Sequence, residues 1–305
     1  MDMDSSHNEI IHDFPPFFKI YKGGCVERYR KNEIADAGYD PSTGVESKDV
    51  VISPETGVRA RIFIPKIKGP DQKLPLLVHY HGGGFCIRSA FDVKTKSFLT
   101  SLVSKANIIA VSIDYRLAPE HLLPIAYHDS FAGLQWVATH SSGLGPDPWL
   151  NAHADFGRVF LEGESAGGTI AHDVEIQAGI TELAGLKIEG LLIVHSFFGS
   201  KKPHALYKFI CPGSSGCDDD PRLNPEVDPN LKKMAGERVL ACVAEKDWFI
   251  DRGMAYYETL AKYGWDGNVE LWETLGEGHC FHLFNPDSEK TAQLIEKMVH
   301  FINRD

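Results

Sequence analysis

Short apolar runs recur along this chain of 305 residues, with longer amphipathic segments between them. Nearly continuous apolar or β-branched runs occupy residues 74–80, 107–113, 159–163, 188–194 and 239–243. Such runs are typical of central strands in a parallel sheet that is covered on both faces. Residues 58–64 show the alternation of a half-buried strand. Helical spacing of apolar side chains marks residues 126–139, 254–263 and 289–302. The repeated strand–helix order predicts an α/β fold with a mostly parallel, doubly wound central sheet flanked by helices.

Two stretches depart from this order, residues 1–45 and about 199–236. The first contains Phe14-Pro-Pro-Phe-Phe, and the second holds five prolines. Because no linker sets either stretch apart, we predict a single domain over residues 1–305. The two stretches would then lie over one edge of the sheet.

The pentapeptide Gly163-Glu-Ser165-Ala-Gly167 matches the pattern G-x-S-x-G. It follows the apolar run at 159–163 and precedes a helical stretch at 169–178, which is the context that the motif requires. At such a sharp turn the serine hydroxyl is exposed, and the helix start favours developing negative charge. Ser165 is therefore the candidate nucleophile, although an ordinary turn into a helix would explain the pentapeptide taken alone.

Three successive glycines follow the run at 74–80, in the sequence His81-Gly-Gly-Gly-Phe85. Glycine lets the backbone approach a ligand closely and turn N–H groups into a cavity. A phosphate-binding loop would need a Lys-Ser/Thr ending or a G-x-G-x-x-G spacing, and neither is present. In a serine hydrolase, the N–H groups of Gly83, Gly84 and Ala166 would bind the oxyanion of the tetrahedral intermediate. The preceding histidine would then orient the loop.

A serine hydroxyl needs a base, itself held by an acid, to become a nucleophile at neutral pH. Asp247 follows the run at 239–243, and His279 follows a further predicted strand at residues 269–272. Their order, acid then histidine, is the one that this kind of fold uses. Two alternatives stay open, Asp251 for the acid and His282 for the base. We prefer Asp247 because it is nearer the strand end, whereas Asp251 suits the start of a helix. We prefer His279 because it lies in a Gly-rich loop, whereas His282 begins an apolar stretch.

These motifs together resemble those of the plant carboxylesterases in the hormone-sensitive-lipase-like group of α/β hydrolases. The sequences that carry the resemblance are His81-Gly-Gly-Gly-Phe85, Asp114-Tyr-Arg-Leu-Ala-Pro-Glu-His121, Gly163-Glu-Ser-Ala-Gly-Gly168, Ala244-Glu-Lys-Asp247 and Gly276-Glu-Gly-His-Cys-Phe-His-Leu-Phe284. The resemblance implies the α/β-hydrolase fold, with Ser165 as nucleophile, Asp247 as acid and His279 as base. It places the oxyanion-hole donors on Gly83, Gly84 and Ala166.

The resemblance also implies a cap over the site, built from the N-terminal segment and an insertion after residue 198. Phe14, Phe17 and Phe18 would either pack near the acyl pocket or anchor the N-terminus to the core. The chain departs from the group at Thr169, where Asn is usual, and in the acidic residues Asp173 and Glu175 of the following helix. These departures concern pocket polarity and substrate range.

The net charge of -11, with no basic run, argues against nucleic acid and anionic membrane surfaces as partners. It would also repel a strongly anionic substrate at long range. No apolar stretch approaches the roughly 20 residues of a membrane span, and the first 20 residues lack a secretory signal. Six scattered cysteines suit a reducing compartment, with free thiols favoured over a Cys211–Cys217 bond. We therefore expect a cytoplasmic protein.

No metal or cofactor is expected from the sequence. The acidic triplet Asp218 to Asp220 lacks the spacing of a calcium-binding loop and is interpreted as a solvated turn. His79, His172 and His195 lie in or beside apolar elements, and we interpret them as core histidines.

The main hypothesis is hydrolysis of a small or medium ester by a monomer or weak homodimer. The resemblance implies that this ester is a plant metabolite. The same plant group includes a 2-hydroxyisoflavanone dehydratase, tuliposide-converting enzymes and alkaloid cyclases, so a lyase or cyclase is the alternative. An elimination needs only the base and the oxyanion donors. The gibberellin receptor uses this fold without the catalytic histidine, so the presence of His279 disfavours a receptor. Cys86, Trp248 and Phe249 are candidate pocket side chains.

Overall fold

The computed structural model of the protein describes residues 9–199, 202, 204–217, 219–262 and 265–304. Several positions that figure in the sequence analysis lie outside the described residues: residues 1–8 of the first stretch, residues 200, 201 and 203 of the second, Asp218 of the acidic triplet, and the last residue, Tyr263, of one predicted helix.

The described chain opens with a small antiparallel sheet of three strands. They are β1 (Ile10–Phe14), β2 (Phe18–Tyr21) and β3 (Val26–Arg28). The strands are short, and most of their side chains are at least partly exposed. The alternation expected of a buried strand is therefore absent from the sequence here, and the sequence analysis predicted no strand.

Nine strands of the described chain form the larger, central sheet. In chain order they are β4 (Tyr39–Asp40), β5 (Val45–Ser53), β6 (Val58–Ile64), β7 (Leu74–Tyr80), β8 (Ile109–Asp114), β9 (Ala154–Glu164), β10 (Ile188–Val194), β11 (Arg238–Ala244) and β12 (Asn268–Thr274). Across the sheet the order is β12-β11-β10-β9-β7-β8-β6-β5-β4. Strands β12 to β8 pair in parallel, and β6, β5 and β4 extend the sheet by antiparallel pairing. The prediction of a mostly parallel sheet is confirmed.

The strand bounds follow the sequence pattern closely. The runs at 58–64, 74–80 and 188–194 are strands with the same bounds as predicted. The run at 107–113 becomes a strand only at Ile109, because Asn107 adopts a left-handed conformation (φ 53°) that ends the preceding helix.

The described residues also form eight α-helices. They are α1 (Val93–Ala106), α2 (Ile125–Ala138), α3 (Pro148–His153), α4 (Ala166–Thr181), α5 (Ala205–Ile210), α6 (Ile250–Lys262), α7 (Phe281–Phe284) and α8 (Glu289–Asn303). The predictions over 126–139, 169–178 and 289–302 match α2, α4 and α8 to within a few residues, whereas α6 begins four residues before its prediction. Helix α1 was not predicted, although Asp92 caps it by accepting a hydrogen bond from the Thr95 N–H at 2.7 Å. In the described part of the chain, no helix has the length and apolar character that a membrane crossing needs.

Helices cover both faces of the central sheet. Phe98 of α1 and Met298 of α8 lie in a buried cluster on one face, and Leu134 of α2 and Ile170 of α4 lie in a cluster on the other. Because the sheet is packed on both sides, the loops that follow the carboxyl ends of its parallel strands are held in fixed positions. Ligand sites of open α/β sheets lie at these ends.

Candidate active site

Ser165 occupies the sharp turn between β9 and α4, with φ 54° and ψ -120°. A positive φ is strained for a residue with a side chain, and such strain is common at functional positions. The turn also needs glycine on both sides. A Cβ atom at Gly163 would collide with the carbonyl of Gly167, and one at Gly167 would collide with the carbonyl of Tyr80. The local sequence therefore makes possible the turn that presents the serine hydroxyl.

Two hydrogen bonds join the three predicted triad residues. His279 Nε2 lies 3.0 Å from Ser165 Oγ, and His279 Nδ1 lies 2.8 Å from Asp247 Oδ2. The second carboxylate oxygen of Asp247 accepts the Phe249 N–H at 2.8 Å, and Asp247 itself is buried. This arrangement has the geometry of a nucleophile, a base and an orienting acid.

The two alternatives lie elsewhere. His282 is buried, its ring meets the Phe98 ring edge-on at 5.1 Å, and neither ring nitrogen has a hydrogen-bond partner among the described residues. Burial lowers the pKa of His282 to about 3. Asp251 is exposed in the first turn of α6. Within the described chain neither residue hydrogen-bonds to Ser165 or His279, so the geometry favours the preferred assignment.

The glycine loop leaves backbone donors free beside the serine. Gly83 and Gly84 have φ values of 105° and 61°, and both line the cavity that holds Ser165. The N–H of Gly82 is used, because it donates to Glu164 Oε1 at 2.9 Å. In the part of the chain that the structure describes, the N–H groups of Gly83, Gly84 and Ala166 donate to no protein acceptor. These free donors fit the predicted oxyanion hole.

His81 holds the glycine loop rather than the reacting serine. Its Nδ1 lies 2.8 Å from the Gly82 carbonyl oxygen, and its ring stacks on Tyr115 at 4.3 Å. The Tyr115 hydroxyl donates to the His81 carbonyl at 2.5 Å. Burial lowers the pKa of His81 to about 4, so its imidazole is neutral at pH 7.

A buried ionic network includes Glu164, the residue before the candidate nucleophile, and was not predicted from the sequence. Arg88 Nε lies 2.9 Å from Asp92 Oδ2, and Arg88 Nη1 lies 3.7 Å from Glu164 Oε1. His79 and Glu162 face each other on β7 and β9, with Nδ1 and Oε2 2.5 Å apart. Burial raises the pKa of both glutamates and lowers that of His79. The one available signal was that Glu164 fills the second position of the serine motif.

Part of this network also has the composition of a metal site. His79, Glu162 and Glu164 offer ligand atoms within 4.8 Å of one another, the one such three-residue group in the described residues. No ligand set is visible in the sequence, because His79 and Glu162 are 83 residues apart and meet only through the pairing of β7 with β9. Two ligands of a tetrahedral zinc ion lie about 3.3 Å apart, so the 2.5 Å contact between His79 and Glu162 fits a shared proton better. The expectation of no metal stays a prediction.

His195 contacts the loop that carries the triad histidine. It is buried, and its Nδ1 accepts the Cys280 N–H at 2.9 Å. Burial lowers the pKa of His195 well below its usual value. His172 is also buried, with Nδ1 3.1 Å from the Tyr256 hydroxyl. Both are core histidines, as expected, but His195 has a contact that sequence alone does not reveal.

Ser165 opens into a cavity of about 490 Å³. Its walls are mostly apolar and include Trp248 and Phe249, and the Trp248 ring stacks on His279 at 5.1 Å. The N-terminal stretch contributes Pro16 and Phe17, and the stretch after residue 198 contributes His204 and Leu206. Both irregular stretches therefore reach the site. Cys86 is buried and does not line this cavity.

The three N-terminal phenylalanines divide between the two roles considered for them. Phe17 lies against the glycine loop, since a Cβ atom at Gly84 would come within 2.6 Å of its ring. Phe14 and Phe18 instead pack against Phe209 of α5, with ring centroids 4.8 and 6.2 Å away.

The residues that depart from the plant pattern lie outside the cavity wall. The Thr169 hydroxyl donates to the Phe197 carbonyl at 2.7 Å. Glu175 accepts the Gly236 N–H at 3.0 Å, and Asp173 lines a different cavity. Neither carboxylate lines the cavity of Ser165, so the expected effect on pocket polarity is not found there. All six cysteines, including Cys211 and Cys217, are free thiols, as expected.

Comparison with known proteins shows the family to which this chain belongs. The model of a family described as alpha/beta hydrolase fold matches residues 77–283, which include the glycine loop and all three triad positions. The chain belongs to the alpha/beta hydrolase fold family. It is 41% identical to probable carboxylesterase 7 of Arabidopsis thaliana over 97% of this chain and 99% of that protein. It is 39% identical to 2-hydroxyisoflavanone dehydratase of Glycyrrhiza echinata over 98% of each chain.

Among solved structures, an esterase of Pyrobaculum calidifontis aligns with a TM-score of 0.69 and 25% identity, over 84% of each chain. The resemblance to plant carboxylesterases and the α/β-hydrolase fold are thus both confirmed.

Proposed function

We propose that this protein hydrolyses a small or medium carboxylic ester through an acyl-enzyme on Ser165. The observation that carries the proposal is the continuous line of contacts from Ser165 Oγ through His279 to Asp247. The carboxylesterase relatives support the same reaction.

In the first half of the reaction, Ser165 Oγ attacks the ester carbonyl carbon while His279 Nε2 takes the hydroxyl proton. Asp247 stabilises the imidazolium that forms. The carbonyl oxygen becomes an oxyanion, which the N–H groups of Gly83, Gly84 and Ala166 would bind. Loss of a single oxyanion donor typically costs about 3 kcal/mol of barrier lowering, so three such donors would supply a large share of catalysis.

Collapse of the intermediate breaks the bond to the alcohol, and His279 gives its proton to the departing oxygen. Water then attacks the acyl carbon, with His279 again acting as the base. The acid is released, and Ser165 recovers its proton. Each residue returns to its starting state, and water is the one co-reactant.

We propose that the two irregular stretches form a cap over the site. Phe17 from the first stretch and Leu206 from the second line the cavity together with Trp248 and Phe249. A wall of this kind favours an ester with an apolar or aromatic body, which is consistent with a plant metabolite.

A lyase is the second candidate, and the dehydratase relative favours it. In a dehydration, a base in the position of His279 removes a carbon-bound proton, and the oxyanion donors stabilise the enolate. The enolate then expels the neighbouring hydroxyl group, which takes the proton back from the imidazolium and leaves as water. Ser165 would then form no covalent bond. Hydrolysis and elimination therefore differ in their need for the serine.

Turnover of 4-nitrophenyl acetate by the wild type and by Ser165→Ala and His279→Ala tests the proposal. We expect each variant to lose activity by about 10³-fold or more. Ser142→Ala is a matched control, because Ser142 lies exposed at the end of a short 3₁₀ helix, Thr139–Ser142. Asp251→Asn and His282→Gln should keep most activity if the triad is assigned correctly. An inactive wild type, or an active Ser165→Ala, would contradict hydrolysis and direct attention to elimination.

The free cysteines support a reducing compartment, and we propose a cytoplasmic location. We also propose a monomer or weak homodimer. Fractionation of the source tissue and light scattering at micromolar concentrations test these two points.

A further inference from the structure

The wall of the catalytic cavity contains a cation that has no partner among the residues the structure describes. Arg30 lines the same cavity as Ser165, yet it is exposed and forms no hydrogen bond or ion pair with any described residue. The rest of the wall is apolar apart from the proposed catalytic groups, the glycine loop, the paired Arg88 and Glu164, and His204, whose Nδ1 accepts the Tyr207 N–H. An unpaired guanidinium beside such a wall is available to a ligand.

The other arginine of the wall, Arg88, differs from Arg30 in this respect. Its guanidinium pairs with Asp92 at 2.9 Å and approaches Glu164 at 3.7 Å. Its charge is therefore satisfied inside the protein, and it helps to hold the nucleophile turn.

A second cavity of about 540 Å³ adjoins the first, with Arg30 and Phe284 in both walls. It adds Lys31 and Lys94, and the Lys94 ammonium lies 4.6 Å from the centre of the Phe284 ring. Neither lysine forms an ion pair with a described residue.

The carboxylates in the wall of this second cavity are Asp92 and Glu33. Asp92 is held by Arg88, which leaves Glu33 to oppose Arg30, Lys31 and Lys94. The exposed side of the catalytic cavity at Arg30, which we call its entrance, is therefore locally positive, although the whole chain carries a net charge of -11. The overall charge repels an anion at long range, whereas the local cations attract it within about one Debye length, roughly 8–10 Å.

We propose that the ester substrate carries a carboxylate at the end of an apolar body, and that Arg30 binds this carboxylate at the cavity entrance. The apolar body would lie among Phe17, Trp248 and Phe249, with the scissile ester at Ser165. Arginine suits this role because its planar fork binds carboxylates bidentately. Lys31 and Lys94 would add to the attraction without fixing an orientation. This inference rests on the proposed ester hydrolysis and names the substrate class.

Matched pairs of rigid esters test the proposal on both sides of the scissile bond. Monomethyl terephthalate and methyl 4-carbamoylbenzoate differ by carboxylate against amide on the acyl side. The pair 4-acetoxybenzoate and 4-acetoxybenzamide differ in the same way on the alcohol side. For at least one pair, we expect Arg30→Gln to lower kcat/KM for the carboxylate on the order of tenfold, mainly through KM. The ratio of kcat/KM for carboxylate to amide should also fall as salt is raised.

Lys105→Gln is the matched control, because Lys105 is exposed at the far end of α1 from Lys94. It removes the same charge from the protein and should leave the carboxylate-to-amide ratio unchanged. If Arg30→Gln also leaves that ratio unchanged in both pairs, while the amide esters are hydrolysed, the anion site is refuted and the esterase stands. If the wild type hydrolyses none of the four, calorimetric titration of monomethyl terephthalate into Ser165→Ala, with and without Arg30→Gln, decides whether Arg30 binds the carboxylate. If the wild type is also inactive on 4-nitrophenyl acetate, the proposed function fails instead.

Discussion

At the scale of single residues, backbone strain is concentrated around the site. Seven non-glycine residues of the described chain have positive φ, and five of them are Ser165 itself or lie in the loops around it. These five are Phe85, Arg88, Ser165, His195 and Cys280. A strained conformation persists only where the surroundings fix it. The hydrogen bond between the Cys280 N–H and His195 is one such constraint, and it lies one residue beyond the triad histidine.

We predict that His195 positions His279 through this bond. His195→Leu removes the acceptor and leaves a buried N–H unpaired, which costs about 1–3 kcal/mol. His195→Asn can place its side-chain oxygen near the position of Nδ1. Because a displacement of about 1 Å can cost roughly 10²-fold in rate, we expect the Leu variant to lose 10- to 100-fold in kcat with little change in KM. The Asn variant should recover most of this loss.

Steady-state kinetics of both variants on a 4-nitrophenyl ester measure these effects, with unfolding midpoints as a check on folding. Equal loss of activity in both variants would contradict the positioning role.

The three residues that meet at His279 could be chosen from the sequence, whereas the contacts that support them could not. Ser165, Asp247 and His279 each follow a strand in an order that the motif dictates, so local pattern was sufficient. Glu164 and His195 matter through contacts across strands, with Gly82 and with Cys280. A local pattern in the sequence does not show which residues from distant parts of the chain come into contact.

At the scale of elements, the N-terminal sheet is fixed by aromatic contacts to the stretch after residue 198. The rings of His12 and Phe14 lie 4.6 and 4.8 Å from the ring of Phe209, and Phe18 lies 6.2 Å from it. Phe209 belongs to α5, so one side chain connects the two proposed parts of the cap. The sequence shows the aromatic residues of this segment but not that they pack on Phe209, which lies nearly 200 residues further along the chain. It also does not show the strands, which are too short to give a clear alternation of apolar and polar residues.

We predict that Phe209→Ala loosens the proposed cap. The substitution removes three ring contacts from a half-buried position, which should cost about 1–3 kcal/mol. We expect faster amide exchange in β1 and β2 and a KM raised several-fold, with kcat less affected because the triad is untouched. Hydrogen–deuterium exchange and steady-state kinetics measure these effects.

Ile11→Ala is the control for that prediction, because Ile11 lies in the same strand β1 with its side chain exposed. It should alter neither exchange in β2 nor KM. Unchanged exchange in the Phe209→Ala variant would show that other contacts hold the N-terminal sheet.

At the scale of the whole molecule, the parallel half of the sheet was predictable because burial on both faces leaves continuous apolar runs. The antiparallel half was predictable only in β6, since most side chains of β5 are at least partly exposed. The order of the strands across the sheet depends on contacts distant in sequence. Helix α1 escaped prediction although its apolar residues pack on the same face as α8. Its lysines and threonines dilute the periodic signal that the other helices show.

A buried carboxyl group makes the stability of the whole molecule depend on pH. Glu175 is fully buried in α4, with one oxygen 3.0 Å from the Gly236 N–H and the other without a partner among the described residues. Burial raises the pKa of Glu175 to about 8, whereas an unfolded chain ionises it near pH 4.3. The folded state therefore holds a proton that the unfolded state has lost. Since the raised pKa belongs to the folded state, this stabilising effect is complete below about pH 4 and is lost as the pH rises through 8.

Glu175→Gln mimics the protonated carboxyl group and should abolish this pH dependence. We expect the variant and the wild type to have similar free energies of unfolding at pH 5. At pH 8 the variant should be more stable by about 4–5 kcal/mol, the order expected for a shift of this size. Urea unfolding at the two pH values measures the difference. Glu296→Gln, on the exposed face of α8, should change stability equally at both pH values. If Glu175→Gln behaves as Glu296→Gln does, the carboxyl group at position 175 is ionised in the folded protein and the argument from burial is wrong.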